Sequence, residues 1–121
     1  MMGETSNKVR ITERENIFCL SFLCELDAST IAELRQALQD INEINQPNIL
    51  VDLSSVPFVD SHGVGFFASL LKCAHSKGGI LAFSGVQEQP KSVLDMVGFN
   101  DELVKFFDDS LAALDVLDTR H

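Results

Sequence analysis

Residues 48–74 read NILVDLSSVPFVDSHGVGFFASLLKCA, and the order of residue types along them decides the fold. The apolar run Ile49-Leu50-Val51, continuing through Asp52 to Leu53, predicts a buried strand. A polar turn, Ser54-Ser55, and an apolar hinge, Val56-Pro57-Phe58-Val59, follow it. Asp60-Ser61-His62-Gly63 then opens a helix predicted over residues 61–76, with Val64, Phe67, Ala68 and Leu71 spaced as a core-facing stripe. The first N–H groups of a helix lack intrahelical partners, and the local dipole there favours negative charge. A hydroxyl at such a place can cap the helix or hold a phosphate. Which of these Ser61 does is the functional question.

Working outward, residues 1–7 predict a disordered tail without the apolar segment of a signal peptide. Residues 9–14 alternate apolar and polar and predict a strand with one wet face. Residues 17–23 are apolar on both faces and predict a deeper one, the two forming a hairpin. Residues 28–44 carry Ile31, Leu34, Ala37, Leu38 and Ile41 at helical spacing, with Asp27 or Ser29 as the cap and Pro47 as the stop. Lys77-Gly78-Gly79 ends the central helix. A strand over 80–83, a helix over 90–97 closed by Gly98, an extended segment over 103–107 and a helix over 110–117 capped by Asp109 or Ser110 complete the chain. Strands alternating with helices predict an α/β layer structure with a mixed sheet of four to five strands and about four helices. A chain of 121 residues with 45% apolar content fits one domain, placed at residues 8–118.

The charge balance excludes several classes of partner. Nine basic against eighteen acidic residues give a formal charge of −9, and the basic ones are scattered. Nucleic acid and anionic membrane surfaces both require clustered Lys and Arg, so neither is expected. No window approaches the roughly 18 apolar residues of a membrane span. Cys19, Cys24 and Cys73 are odd in number, lack metal spacing and lie in apolar stretches. Buried reduced thiols and a reducing cytoplasm are the expectation.

Asp60-Ser61-His62 contains the letters of a catalytic triad, but consecutive residues at a helix start do not face one another. His62, His75 and His121 have no metal-ligand spacing, and Gly63-Val64-Gly65 matches no phosphate-cradling loop. Neither a metal nor a cofactor is expected, nor an enzyme. Two glycines so early in a helix cost about 1 kcal/mol each relative to alanine. They are explained either by close packing on the chain's own sheet or by a partner surface that must approach closely.

Taken together, Phe58-Val59-Asp60-Ser61-His62-Gly63-Val64-Gly65 after Ile49-Leu50-Val51-Asp52-Leu53 resembles the signature of the STAS domains of bacterial anti-sigma-factor antagonists. Glu25-Leu26-Asp27 before a helix, Gly78-Gly79 before an apolar strand, and Leu94-Asp95-Met96-Val97-Gly98-Phe99 resemble further pieces of that family, in the same order. The resemblance implies a STAS-like fold and a cytoplasmic, non-enzymatic regulator of transcription. Such proteins bind an anti-sigma factor that is itself a serine kinase, and a PP2C-type phosphatase resets the phosphorylated serine. Carried over by position, the resemblance makes Ser61 the phosphorylation site and Asp27, Asp60, Ser61, His62 and Gly63 the partner-binding residues. His62 stands where the family commonly has a second Ser or Thr, and Cys24 where it has Gly. As an imidazolium, His62 could pair with a phosphate on Ser61, or, being larger than Ser or Thr, hinder a kinase's approach. The alternative implied by the same fold is a phosphorylation-independent accessory subunit of a membrane transporter.

Overall fold

The computed structural model describes residues 8–38 and 43–118; the expected tail at 1–7, residues 39–42 of the expected 28–44 helix and His121 lie outside the described residues. Strand β1 (Val9–Glu13) pairs antiparallel with β2 (Ile17–Phe22), aligning Val9 with Phe22 and Ile11 with Leu20. After this hairpin every strand is parallel to its neighbour, so each return crosses over through a helix. Helix α1 (Ala28–Leu38) leads to β3 (Asn48–Asp52), and α2 (Ser61–Ser76) leads to β4 (Leu81–Ser84). Helix α3 (Glu88–Met96) leads to β5 (Lys105–Phe107), and α4 (Ser110–Leu117) closes the described chain. The sheet order is β1-β2-β3-β4-β5. This mixed five-stranded sheet with four helices has the expected α/β architecture.

Alternation along each strand divides the core in two. Val9, Ile11, Phe18, Leu20, Phe22, Ile49, Val51, Leu81 and Phe83 face one side, where buried residues of α1, α2 and α3 cover them. Ile17, Leu50 and Ala82 face the other, where Ala113 and Leu117 of α4 pack. At the centre of the first layer the Phe67 and Phe83 rings meet edge-on, centroids 5.0 Å apart.

Four expectations need correction. The buried stripe of α2 is Gly63, Phe66, Phe67, Leu70, Cys73 and Ala74, whereas Ala68 is exposed and Val64 and Leu71 are only half-buried at its edges. Both stripes satisfy a helical period; the one that centres on two adjacent phenylalanines removes more apolar surface from water and prevails. Helix α3 begins two residues earlier than expected, at Glu88, because Pro90 falls within its first turn, where an N–H is not needed. Strand β5 is shorter than the expected segment, since Asn100 accepts from the backbone N–H groups of Leu103 and Val104 and holds the chain in a turn there. All three cysteines are free, but only Cys73 is buried; Cys19 and Cys24 are half-buried. Partial burial pushes the Cys19 thiol up to about 11, so it stays protonated at neutral pH.

Candidate functional site

The candidate site is assembled where β3 stops and α2 starts. Asp52, the last residue of β3, turns the chain by accepting from the Ser54 N–H at 3.1 Å with one carboxylate oxygen and from the Ser54 hydroxyl at 3.3 Å with the other. The hinge then alternates in depth: Val56 and Val59 are buried, Pro57 and Phe58 exposed. Val59 forms a single parallel bridge with Leu26, in which the Leu26 N–H donates to the Phe58 carbonyl at 2.9 Å and the Asp60 N–H donates to the Leu26 carbonyl at 3.0 Å. That bridge sets Glu25-Leu26-Asp27 beside Val59-Asp60-Ser61, two segments more than thirty positions apart.

Each segment starts a helix under an aspartate. Asp27 Oδ1 accepts from the Thr30 N–H at 3.1 Å, the Ser29 hydroxyl at 2.9 Å and the Thr30 hydroxyl at 3.2 Å. The Thr30 N–H foremost, then the Ser29 hydroxyl, hold the Asp27 carboxyl below the usual carboxylate range. Asp60 has extended backbone geometry and caps α2, its Oδ1 accepting from the N–H groups of His62 at 2.8 Å and Gly63 at 3.3 Å. A cap of this kind contributes on the order of 1 kcal/mol. Ser61, the first residue of α2, is exposed, and its hydroxyl takes no part in that cap. The question posed by the sequence therefore has a structural answer: the carboxylate does the capping and leaves the hydroxyl free of that duty.

His62 is also exposed, with its Nδ1 3.5 Å from Asp60 Oδ2, a charge pair only when the imidazole is protonated. Among the described residues no hydrogen bond joins the Ser61 hydroxyl to His62, as expected of consecutive residues at a helix start. Nor do the described His, Cys, Asp and Glu side chains form any group of three or more able to hold a metal ion.

The two early glycines have separate explanations. Gly63 is buried, and a Cβ there would lie 2.9 Å from Val59 Cγ1 and 3.2 Å from Leu26 Cβ, so this glycine lets α2 press against the bridge. Gly65 is exposed, and a Cβ built on it meets nothing within 4 Å. Gly65→Ala should therefore stabilise the free protein by about 1 kcal/mol, as helix propensity dictates, read as a higher urea midpoint at unchanged slope. A lower midpoint would mean that the chain itself needs glycine there.

Two glutamines escaped the sequence reading. Gln89 binds both backbone polar groups of Val59, and Gln87 Nε2 donates to the Ser54 carbonyl at 2.9 Å. No pattern signals them, since a polar residue in the first turn of a helix is ordinary.

The chain belongs to the STAS domain family, whose sequence model matches residues 8–113. Within that family it groups with the anti-sigma-factor antagonists. It is 31% identical over 77 residues to the anti-sigma-B factor antagonist of Staphylococcus epidermidis, an alignment covering 64% of this chain and 71% of that protein. Among solved structures it is similar to an anti-sigma factor antagonist from Mycobacterium paratuberculosis, with a TM-score of 0.76, 19% identity and coverage of 92% and 93% of the two chains. The unphosphorylated form of the antagonist SpoIIAA superposes with a TM-score of 0.73 at 15% identity, covering 93% of this chain and 99% of that one. At such identities the two structures establish the fold. Among the described residues no helix is long and apolar enough to cross a membrane.

Proposed function

We propose that this protein is the phosphorylatable half of a partner switch: an anti-sigma-factor antagonist that docks on an anti-sigma serine kinase while Ser61 is unmodified and releases it when Ser61 carries a phosphate. One observation carries the reading. Asp60 caps α2, so the neighbouring hydroxyl stands exposed and uncommitted at the helix mouth. A phosphoryl group there adds roughly −1.5 to −2 charge and three acceptor oxygens without removing any interaction the fold uses. The helix dipole favours that charge. Asp60 already occupies the N–H groups of His62 and Gly63, however, so the phosphate is not fully absorbed by the domain and stands beside a carboxylate. A docking partner meets both.

The remaining site residues follow from this arrangement. Asp60 shapes the helix mouth and presents a carboxylate at its rim. His62 Nδ1 lies 3.5 Å from Asp60 Oδ2, and as an imidazolium it would pair there or with the added phosphate. Asp27 lies on the adjoining segment and widens the docking surface, whereas buried Gly63 contributes through the packing of α2. The domain acts by binding, without catalysis of its own, and a PP2C-type phosphatase resets Ser61. The test is incubation of the full chain with an anti-sigma serine kinase and ATP, followed by peptide mass spectrometry. One phosphate on Ser61, absent from Ser61→Ala, is the expected result. No phosphate, or one on Ser54 or Ser55 instead, would reject the switch; the first outcome would favour the phosphorylation-independent accessory module.

A further inference from the structure

We infer that Gln89 of α3 is a positioning residue for Ser61, taking the place of a strand that the sheet does not supply. Its functional consequence rests on the proposal that Ser61 is the modified residue; its structural consequence does not.

Val59 lies two residues before Ser61. In the bridge to Leu26 the bonded groups are the Phe58 carbonyl and the Asp60 N–H, so the N–H and C=O of Val59 itself point to the opposite side. Val59 is 1% exposed, and a buried N–H and C=O must find partners. On that side β4 runs beside β3 only as far as the pairing of Asp52 with Ser84, well short of Val59. Gln89 fills the gap. Its Oε1 accepts from the Val59 N–H at 2.9 Å, and its Nε2 donates to the Val59 carbonyl at 3.2 Å. A carboxamide carries the donor and acceptor of a peptide unit, so one side chain makes the pair of bonds a neighbouring strand would make.

Gln87 ties the other end of the same loop through the Ser54 carbonyl. Residues 54–59 are thus held against α3 at both ends, and Ser61 inherits its position from them. Residue choice at 89 is narrow. Asn is one methylene short, Ala leaves both Val59 groups unpaired, and Glu at neutral pH offers no donor and sets a carboxylate against a carbonyl oxygen.

The test uses Gln89→Ala and Gln89→Glu in the full chain. In both variants at neutral pH, amide exchange at Asp60, His62 and Gly63 should accelerate about tenfold or more, with β2 and α4 unchanged. As pH falls through the carboxylate range near about 4.3, Gln89→Glu alone should regain the wild-type amide shifts, because a protonated carboxyl carries a donor and an acceptor in the amide's shape. With the anti-sigma kinase and ATP, kcat for Ser61 should fall about tenfold while KM stays within about twofold. Unaltered exchange at these amides, or no return of Gln89→Glu at low pH, overturns the inference. A raised KM at constant kcat does so too, since Gln89 would then be a contact for the partner. If wild-type Ser61 takes no phosphate the switch itself fails, and the exchange measurements still decide the role of Gln89.

Discussion

Ser61→Asp should bind an anti-sigma serine kinase roughly 30- to 150-fold more weakly than wild type, a loss of about 2–3 kcal/mol, while Ser61→Ala binds at least as tightly. The size follows from where the charge is placed. Ser61 is exposed at the first position of α2, and Asp60 next to it already presents a carboxylate. A second anion at this spot must be desolvated or left unpaired when a partner closes over it, and an uncompensated interfacial charge costs several kcal/mol. Stability should move differently from binding. Ser61→Ala removes no cap, because the N–H groups of His62 and Gly63 are held by Asp60, so the fold should change by no more than about 0.5 kcal/mol. Ser61→Asp places an acid in the first turn, where the helix dipole favours it by up to about 1 kcal/mol, offset by repulsion from Asp60. Urea titration therefore finds two nearly normal proteins, while isothermal titration with the kinase separates them. Equal affinity of the two variants would remove Ser61 from the switch.

The same neighbourhood shows what a sequence can and cannot disclose. The limits of α2 at Ser61 and Ser76, and of α4 at Ser110 and Leu117, are legible, because caps and apolar spacing are local signals written within a few residues. The side of α2 that faces the sheet lies one position from the stripe the spacing predicts, since stripes beginning at Gly63 and at Val64 are equally periodic and only the opposing core residues choose between them. Asp27 could be connected to the site only through resemblance. Its actual link, the Leu26–Val59 bridge, is a backbone contact between distant segments that leaves no mark on side-chain pattern. Gln89 lay beyond reach for a related reason: what it satisfies is a gap in the hydrogen bonding of Val59, and such a gap exists only once the strands are placed. The disposition of α4 on one face of the sheet, with α1 to α3 on the other, is likewise a consequence of packing.

Gly79→Ala should be the most damaging alanine substitution among the described glycines, lowering stability by about 3 kcal/mol or more and the melting midpoint by roughly 10 °C. Gly78 and Gly79 look interchangeable in the sequence, yet they serve different ends. Gly78 adopts a positive φ of 73° in open surroundings, so alanine there pays only the left-handed backbone penalty of roughly 1–2 kcal/mol. At Gly79 a Cβ would lie 1.8 Å from the carbonyl oxygen of Pro47 and 2.3 Å from its carbonyl carbon. Backbone atoms cannot swing aside as a long side chain can, so the two chain segments must separate. The separation falls where β3 and β4 begin their pairing. There the Ile49 N–H donates to the Ile80 carbonyl at 2.9 Å, and Asn48 Oδ1 accepts from the Ile80 N–H at 3.0 Å. Asn48 Nδ2 also donates to the Leu117 carbonyl at 3.3 Å, tying the end of α4 to the same point. Opening this junction strains the central strand pair and the only helix covering the second face among the described residues. Against a total stability of about 5–15 kcal/mol for a domain, that loss is readily measured. Urea unfolding should show the midpoint falling much further for Gly79→Ala than for Gly78→Ala, at similar slope. If the two variants unfold together, the close approach of Gly79 to Pro47 is not what requires glycine at the end of α2.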